Sequence, residues 1–322
     1  MHKEIGGYLE LERFTGPMLH EEALALSSGR ACLSYLIEQR RIQKIALPDY
    51  NCEVVAEACR AHGIRMRYYR VGTDLRPEKL HTEEDEWLYL VNYYGQLTEE
   101  ELQDYAGRFP KLIVDNAQAY FAAPLPGVDT LYTCRKFIGV ADGGFVYTDA
   151  PARELPQDES LNRMDFVLGR FERLAGEFYA AATRNNEELS AEPRLMSRLT
   201  RNLLHAADYA RIRNTRTENF RMLHAALGTY NRLKLREVEG PYVYPLMLPD
   251  GQAIRKKLIE KKIYIPQLWG NVSKEQPADS AACMLAEQII PLPCDQRYGA
   301  EEMAFVIDAV EECLGLRKEN AT

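Results

Sequence analysis

The chain has 322 residues, enough for a large core and two subdomains of one catalytic unit, and its formal net charge of −8 argues against nucleic acid, a partner that calls for a clustered basic face. No uninterrupted apolar run approaches the roughly 20 residues of a membrane-spanning helix, and Met1-His2-Lys3-Glu4 lacks the charged-then-apolar order of a secretory signal, so a cytoplasmic protein without membrane contact is expected. Seven cysteines without a CxxC pair and six dispersed histidines offer no metal-ligand spacing, so no metal is expected and the thiols should be reduced and mostly buried.

In chain order, residues 1–22 read as an arm, with two glycines and an alternating apolar and acidic run over Glu4–Glu12 that predicts a short strand. Apolar residues at 32, 33, 36 and 37 predict a helix capped by Ser27 or Ser28, and the first turn of such a helix, around Gly29, Arg30 and Ala31, suits a phosphate group. Strand (Lys44–Pro48), helix (Asn51–His62, stopped by Gly63) and strand (Ile64–Val71) follow, an alternation that argues a parallel sheet. Trp87–Tyr93 reads as a further strand, and Thr98 with Glu101 forms a capping-box signature for a helix to about Arg108.

The most informative stretch is 112–149. Asp115 directly follows the apolar run Leu112-Ile113-Val114, Gln118 comes three residues later, and Lys136 lies just beyond a second run, Leu131-Tyr132-Thr133, with Asp142-Gly143-Gly144 opening the strand Phe145–Thr148. Ligands of open parallel sheets collect at the carboxyl ends of the strands, where Asp115, Asn92 and the 48–51 turn would fall. Residues 150–228 read as largely helical, and from Asn231 a small α+β unit is expected, with strands at Tyr242–Met247 and Tyr264–Pro266 and helices at Gln252–Glu260 and Ala300–Leu314.

From Ser27 to Arg297 these features resemble the DegT-like nucleotide-sugar aminotransferases, pyridoxal-phosphate enzymes of the aspartate-aminotransferase fold. The matching residues are Gly29, Arg30 and Ala31 in the phosphate motif, Asp115, Ala117 and Gln118 in the Asp-x-Ala-Gln segment, and Lys136 six residues before Asp142-Gly143-Gly144. The resemblance implies an α/β fold with a mainly parallel central sheet flanked by helices on both faces (fold type I), a large cofactor domain at 23–228, a smaller α+β domain at 229–322, and a homodimer. It assigns Lys136 to the Schiff base and to proton transfer, Asp115 to the pyridine nitrogen and Gln118 to the ring oxygen. Arg30 and Thr133 would contact phosphate, and Tyr50 or Cys52 would lie against the ring.

The chain departs from the family pattern at several places. Arg30 replaces a threonine, Cys52 stands at the aromatic stacking position, Asn92 replaces a histidine, Leu131 replaces a phosphate-contacting serine, and Thr133 and Asp142 stand for histidine and glutamate. The loop that hands an asparagine to the neighbouring subunit has no clear counterpart, Arg194–Ser197 being the remnant of its end. The activity implied is transfer of an amino group from an amino acid, glutamate foremost, to a keto-sugar nucleotide. Two other readings stay open: an enzyme of the same cofactor acting on another carbonyl or amine, and a binding or regulatory protein that keeps the fold without turnover. Related sugar dehydratases carry histidine in the lysine position, so Lys136 speaks against that route.

Overall fold

A computed structural model describes residues 5–316. In chain order these form β1 (Leu24–Leu26), α1 (Gly29–Arg40), β2 (Lys44–Pro48), α2 (Glu53–Ala61), β3 (Arg65–Tyr69), β4 (Glu86–Val91), α3 (Glu99–Arg108), β5 (Leu112–Asp115), β6 (Asp129–Thr133) and β7 (Gly144–Tyr147). After them come α4 (Asp165–Glu172), α5 (Tyr179–Glu188), α6 (Arg198–Leu204), α7 (Tyr209–Leu227), β8 (Tyr244–Met247), α8 (Gly251–Glu260), α9 (Val272–Glu275), α10 (Ala281–Gln288), β9 (Ile289–Leu292) and α11 (Ala300–Cys313).

Seven strands make one sheet in the order β1-β7-β6-β5-β4-β2-β3. The β3-β2-β4-β5-β6 stretch is parallel throughout, whereas β7 runs antiparallel to both β6 and β1. Parallel neighbours need crossover connections, and α1, α2 and α3 supply helices between successive strands. The inner strands β2, β4 and β5 are nearly unbroken apolar runs because both faces are covered; β5 is buried at all four positions. Each fully buried Leu, Ile or Val side chain contributes about 1.5–3 kcal/mol.

Helix α1 starts as its sequence dictates: the Ser28 hydroxyl accepts from the Ala31 amide at 3.1 Å, and seven residues from Ala31 to Ile37 are buried. Its far end is tied to β6 by a two-pronged contact from Arg40 to the buried Asp129, both bonds at 2.7 Å. The capping box at Thr98 and Glu101 forms in both directions, at 3.1 and 2.7 Å.

Strands β8 and β9 form a separate antiparallel pair, covered by α8, α11 and the C-terminal half of α7 through Phe220, Leu223 and Leu227. Two strand expectations are corrected. Among the described residues of the arm, 5–12 form no strand: Ile5, Tyr8 and Leu9 are about 95% exposed or more, with no neighbouring strand to complete a ladder; Glu4 lies outside the described residues. The arm is instead held on α6, where the Asn202 side chain accepts from the Phe14 amide and donates to the Glu12 carbonyl. Tyr264–Pro266 is also irregular; proline offers no amide to a ladder, and the Ile265 carbonyl accepts from the Arg255 guanidinium instead.

Candidate active site

The reversal of direction between β6 and β7 creates the loop 134–143 that carries Lys136. The Phe137 amide closes a turn onto the Cys134 carbonyl at 2.8 Å, and the loop returns through Gly143 at φ +124°. A side chain at Gly143 would begin 2.3 Å from the Cys134 sulfur, so both the backbone angle and the space require glycine. The preceding Asp142 is fully buried, accepting from the Ser197 amide and hydroxyl at 2.7 Å each and from the Thr200 hydroxyl. The acidic-Gly-Gly segment therefore anchors the loop to α6.

Asp115 ends β5, paired with Val91 of β4 and Leu131 of β6. Its two carboxylate oxygens accept from the Tyr89 hydroxyl and the Ala117 amide, both at 2.7 Å, which leaves further acceptor capacity on each. Burial raises its pKa, opposed by the positive charge of Lys136 and those two hydrogen bonds. Burial likewise pushes the half-buried Lys136 amine below the ordinary lysine value, with Asp115 and Cys52 pulling it back and Arg135 adding to the depression. The amine stands 5.4 Å from the centre of the Tyr242 ring.

Gln118 is 2% exposed, and its carbonyl oxygen accepts from the Tyr94 amide at 2.9 Å. Tyr94 adopts a left-handed backbone, φ +53°, to present that amide. The Gln118 side-chain nitrogen is shielded from water and has no partner, a donor held ready for an acceptor. Asn92 has no such freedom: its amide bridges Asn116 and the Leu97 amide at 3.0 Å each.

At the opposite end, Gly29 and Arg30 begin α1, and nothing stands within 4 Å of where a Gly29 side chain would start. The Arg30 guanidinium is occupied by the carbonyls of Leu189 and Asn186, at 3.0 and 3.2 Å. Thr133 donates to the Gly143 carbonyl at 3.0 Å, so its proton is committed. Ala31 is fully buried, its amide engaged by Ser28. The Tyr50 ring is 1% exposed and packs on Trp269 at 4.4 Å and Tyr93 at 5.2 Å, leaving no open face; Cys52 of the same turn is half-buried on the side of the amine.

Several residues here carry no motif. Arg135 pairs through one end with the Asn186 side chain, while its Nε is shielded without a partner. Burial lowers its pKa to about 10, and Arg30 and Arg163 nearby add to that. Arg216 of α7, 2% exposed, donates to the carbonyls of Pro241 (2.9 Å), Tyr242 (3.1 Å) and Phe137 (3.2 Å) and to the Gln296 side chain (2.8 Å). Gln296 in turn donates to the Phe137 carbonyl at 2.7 Å. The carbonyl next to Lys136 is thus gripped from two elements. Arg216 falls on the apolar face Ile212, Phe220, Leu223, Leu227, and a charge at a core-facing position was the available signal.

The donor chemistry of the residues present fits a planar pyridine with an acid partner, an oxygen acceptor and an anionic tail: Asp115 keeps acceptor capacity, the Gln118 side-chain nitrogen and the Arg135 Nε are shielded donors without partners, and the first turn of α1 offers main-chain amides. Among the described residues no group of three or more His, Cys, Asp or Glu gathers for a metal, and no helix is long and apolar enough to cross a membrane.

No protein-family model matches the chain, and no curated protein matches it either. Solved structures do. The chain is similar to DesV of S. venezuelae, whose structure contains a ketimine intermediate, with 17% identity, 97% of this chain and 92% of that chain covered, and a TM-score of 0.65. It is similar to the sugar aminotransferase CalS13 from Micromonospora echinospora at 16% identity, 90% and 87% coverage and a TM-score of 0.62. NtdA from Bacillus subtilis, with bound cofactor PMP, matches at 13% identity, 94% and 78% coverage and a TM-score of 0.64. The chain has the fold of these proteins.

Proposed function

We propose that this chain is a pyridoxal-phosphate-dependent aminotransferase that moves an amino group from glutamate to a keto-sugar nucleotide. The observation that carries the reading is the buried, unpartnered Gln118 nitrogen, three residues after a buried Asp115 whose carboxyl the charge of Lys136 draws down. Ordinary surface or strand-end roles for these three residues leave that donor unexplained. The likeness in fold to a sugar aminotransferase and to a protein holding PMP supports the same reading.

In this reading Asp115 holds the proton on the pyridine nitrogen, and Gln118 donates to the ring oxygen. The first-turn amides at Gly29 and Arg30, with the Arg135 Nε, face the phosphate; the Arg30 side chain instead braces the end of α5. The bound cofactor supplies an electron sink when a C–H bond of the amino acid breaks. The Lys136 Nζ is the covalent anchor and, once released, moves the proton between the substrate carbon and the cofactor carbon. Burial keeps that amine closer to its neutral, reactive form than a solvated lysine. The half-buried Cys52, in place of an aromatic ring, lies along the cofactor face.

A homodimer belongs to the same proposal. The exposed apolar side chains Ile5, Tyr8 and Leu9 of the arm, Phe171 of α4 and Leu174 just beyond it support a surface that a second copy covers. Light scattering of the purified protein tests it, one subunit mass contradicting it. For the activity, glutamate added to the cofactor-loaded protein should convert the bound cofactor from its pyridoxal to its pyridoxamine absorbance. An unchanged spectrum with glutamate and with the other common amino acids would leave the fold but remove the aminotransferase.

A further inference from the structure

The Lys136 amine has one neighbour that the cofactor reading leaves unused. It stands over the Tyr242 ring, 5.4 Å from the ring centre, within the roughly 6 Å at which an aromatic face attracts a cation. The ionisable groups that face the amine from other elements are Asp115 at the end of β5 and Cys52 in the turn before α2, with Arg135 on its own loop. Asp115 and Cys52 favour the charged amine, whereas burial and Arg135 oppose it. Burial pushes the Tyr242 hydroxyl up to about 12, so the ring stays neutral through the range in which the amine titrates.

The ring is tied to the amine by a single buried group. Arg216 of α7 is 2% exposed. One of its terminal nitrogens donates to the Tyr242 carbonyl at 3.1 Å and to the Pro241 carbonyl at 2.9 Å. The other donates to the Phe137 carbonyl at 3.2 Å and to that of Lys136 itself at 3.5 Å. One rigid, planar guanidinium thus joins the residue that carries the ring to the residue that carries the amine. Gln296 closes the figure, accepting from the Arg216 Nε at 2.8 Å and donating to the Phe137 carbonyl at 2.7 Å, and the Phe137 and Tyr242 rings pack at 5.8 Å.

Every acceptor of this guanidinium is a neutral oxygen. A buried charge with such partners is costly beside an apolar side chain of the same size, so its contribution is the geometry it fixes. We infer that the Tyr242 ring face is the seat on which the Lys136 amine carries its proton, and that Arg216 is the positioning residue that keeps ring and amine in register. This rests on the reading of Lys136 as the group that moves a proton, since a buried amine that accepts one needs its ammonium form stabilised. The seat itself can be measured without cofactor or substrate.

The test is competitive labelling of the cofactor-free, full-length protein with acetic anhydride between about pH 6 and 11, the Lys136 peptide being read by mass spectrometry for the midpoint of its titration. Tyr242→Leu should lower that midpoint by roughly half a pH unit, about a two- to fivefold larger neutral fraction below it, and Tyr242→Phe should restore it. An amine merely exposed by looser packing would titrate higher, toward a solvated lysine, so the sign separates a lost seat from lost packing. Arg216→Lys keeps the charge without the fork, and should lower the midpoint in the natural chain but add nothing to Tyr242→Leu. Gln296→Met carries the same expectation if Arg216→Lys fails to fold. An unchanged or raised midpoint in Tyr242→Leu, or an equal fall in Tyr242→Phe, overturns the seat. No fall in Arg216→Lys, or one that persists beside Tyr242→Leu, overturns the positioning role. A silent glutamate spectrum with these midpoints as expected removes the aminotransferase reading alone.

Discussion

Around Lys136 and Asp115 the chain commits its buried groups to one another and leaves one free donor, Gln118 Nε2, whereas at the start of α1 it binds its own arginine, Arg30, to main-chain carbonyls and leaves a different one, Arg135, incomplete. The first end keeps the Asp-x-Ala-Gln segment and the lysine of the resembled pattern, with Cys52 and Asn92 as departures. The second has been rebuilt by a neighbour in sequence to the lysine and by α5, whose Asn186 touches both arginines. The difference teaches that the ring end of such a site is fixed by strand ends of the sheet, while the anion end hangs on a helix N-terminus that several side chains can complete.

The largest effect should come from the ring end. Lys136→Ala is expected to lower amino transfer on the order of 10³-fold or more, with an unchanged melting temperature, measured as single-turnover conversion with glutamate. Asp115→Asn removes the negative charge that raises the Lys136 pKa, so the pH at which the amine becomes reactive should move down, read from the pH dependence of cofactor absorbance. A shift upward would contradict the electrostatic picture.

The comparison sharpens at the other end. Arg135→Met should weaken pyridoxal-phosphate binding about 10- to 100-fold, the loss of a charge-assisted hydrogen bond of about 1.5–3 kcal/mol. Arg30→Met should cost less affinity and more thermal stability, since its partners are the carbonyls of α5. The reverse order in equilibrium binding would return the phosphate to Arg30. Arg216→Met leaves the Pro241 and Tyr242 carbonyls without their donor and the Phe137 carbonyl with Gln296 alone, and should lower stability by about 3 kcal/mol in denaturant unfolding.

The chain order from Ser27 to Asp149 was legible because strand and helix alternate with clear caps: Ser28, Thr98 with Glu101, and Gly63 all stand where the structure uses them. The strand-end placement of Asp115, Gln118 and Lys136 could be read because each follows a buried strand or its turn. What could not be read depends on contacts between distant segments. Tyr50 looked like an available ring until Trp269, more than two hundred residues on, was seen against it. Arg135 belongs to no motif, and its surroundings come from α5, whose Asn186 meets its guanidinium fifty residues on. The arm's alternating pattern suggested a strand, but a strand needs a neighbour, and the arm's side-chain hydrogen bonds run to Asn202 of α6 instead.

A smaller expected effect lies away from the site. His20 is buried among Tyr120, Tyr132 and Tyr147, and burial lowers its pKa from 6.5 to about 4. The unfolded chain therefore takes up a proton that the folded one refuses between those values. Stability from this residue is complete above pH 6.5 and lost as pH falls toward 4, up to about 3 kcal/mol. His20→Gln should flatten that part of the stability-against-pH curve in urea unfolding, and an equal slope would show that other groups set it.

The most direct test of the central claim is chemical. Borohydride reduction of the pyridoxal-phosphate-loaded protein, followed by peptide mapping, should place the cofactor label on Lys136 alone. Label on any other lysine, or none retained after reduction, would contradict the assignment of the 134–143 loop as the anchor of the site.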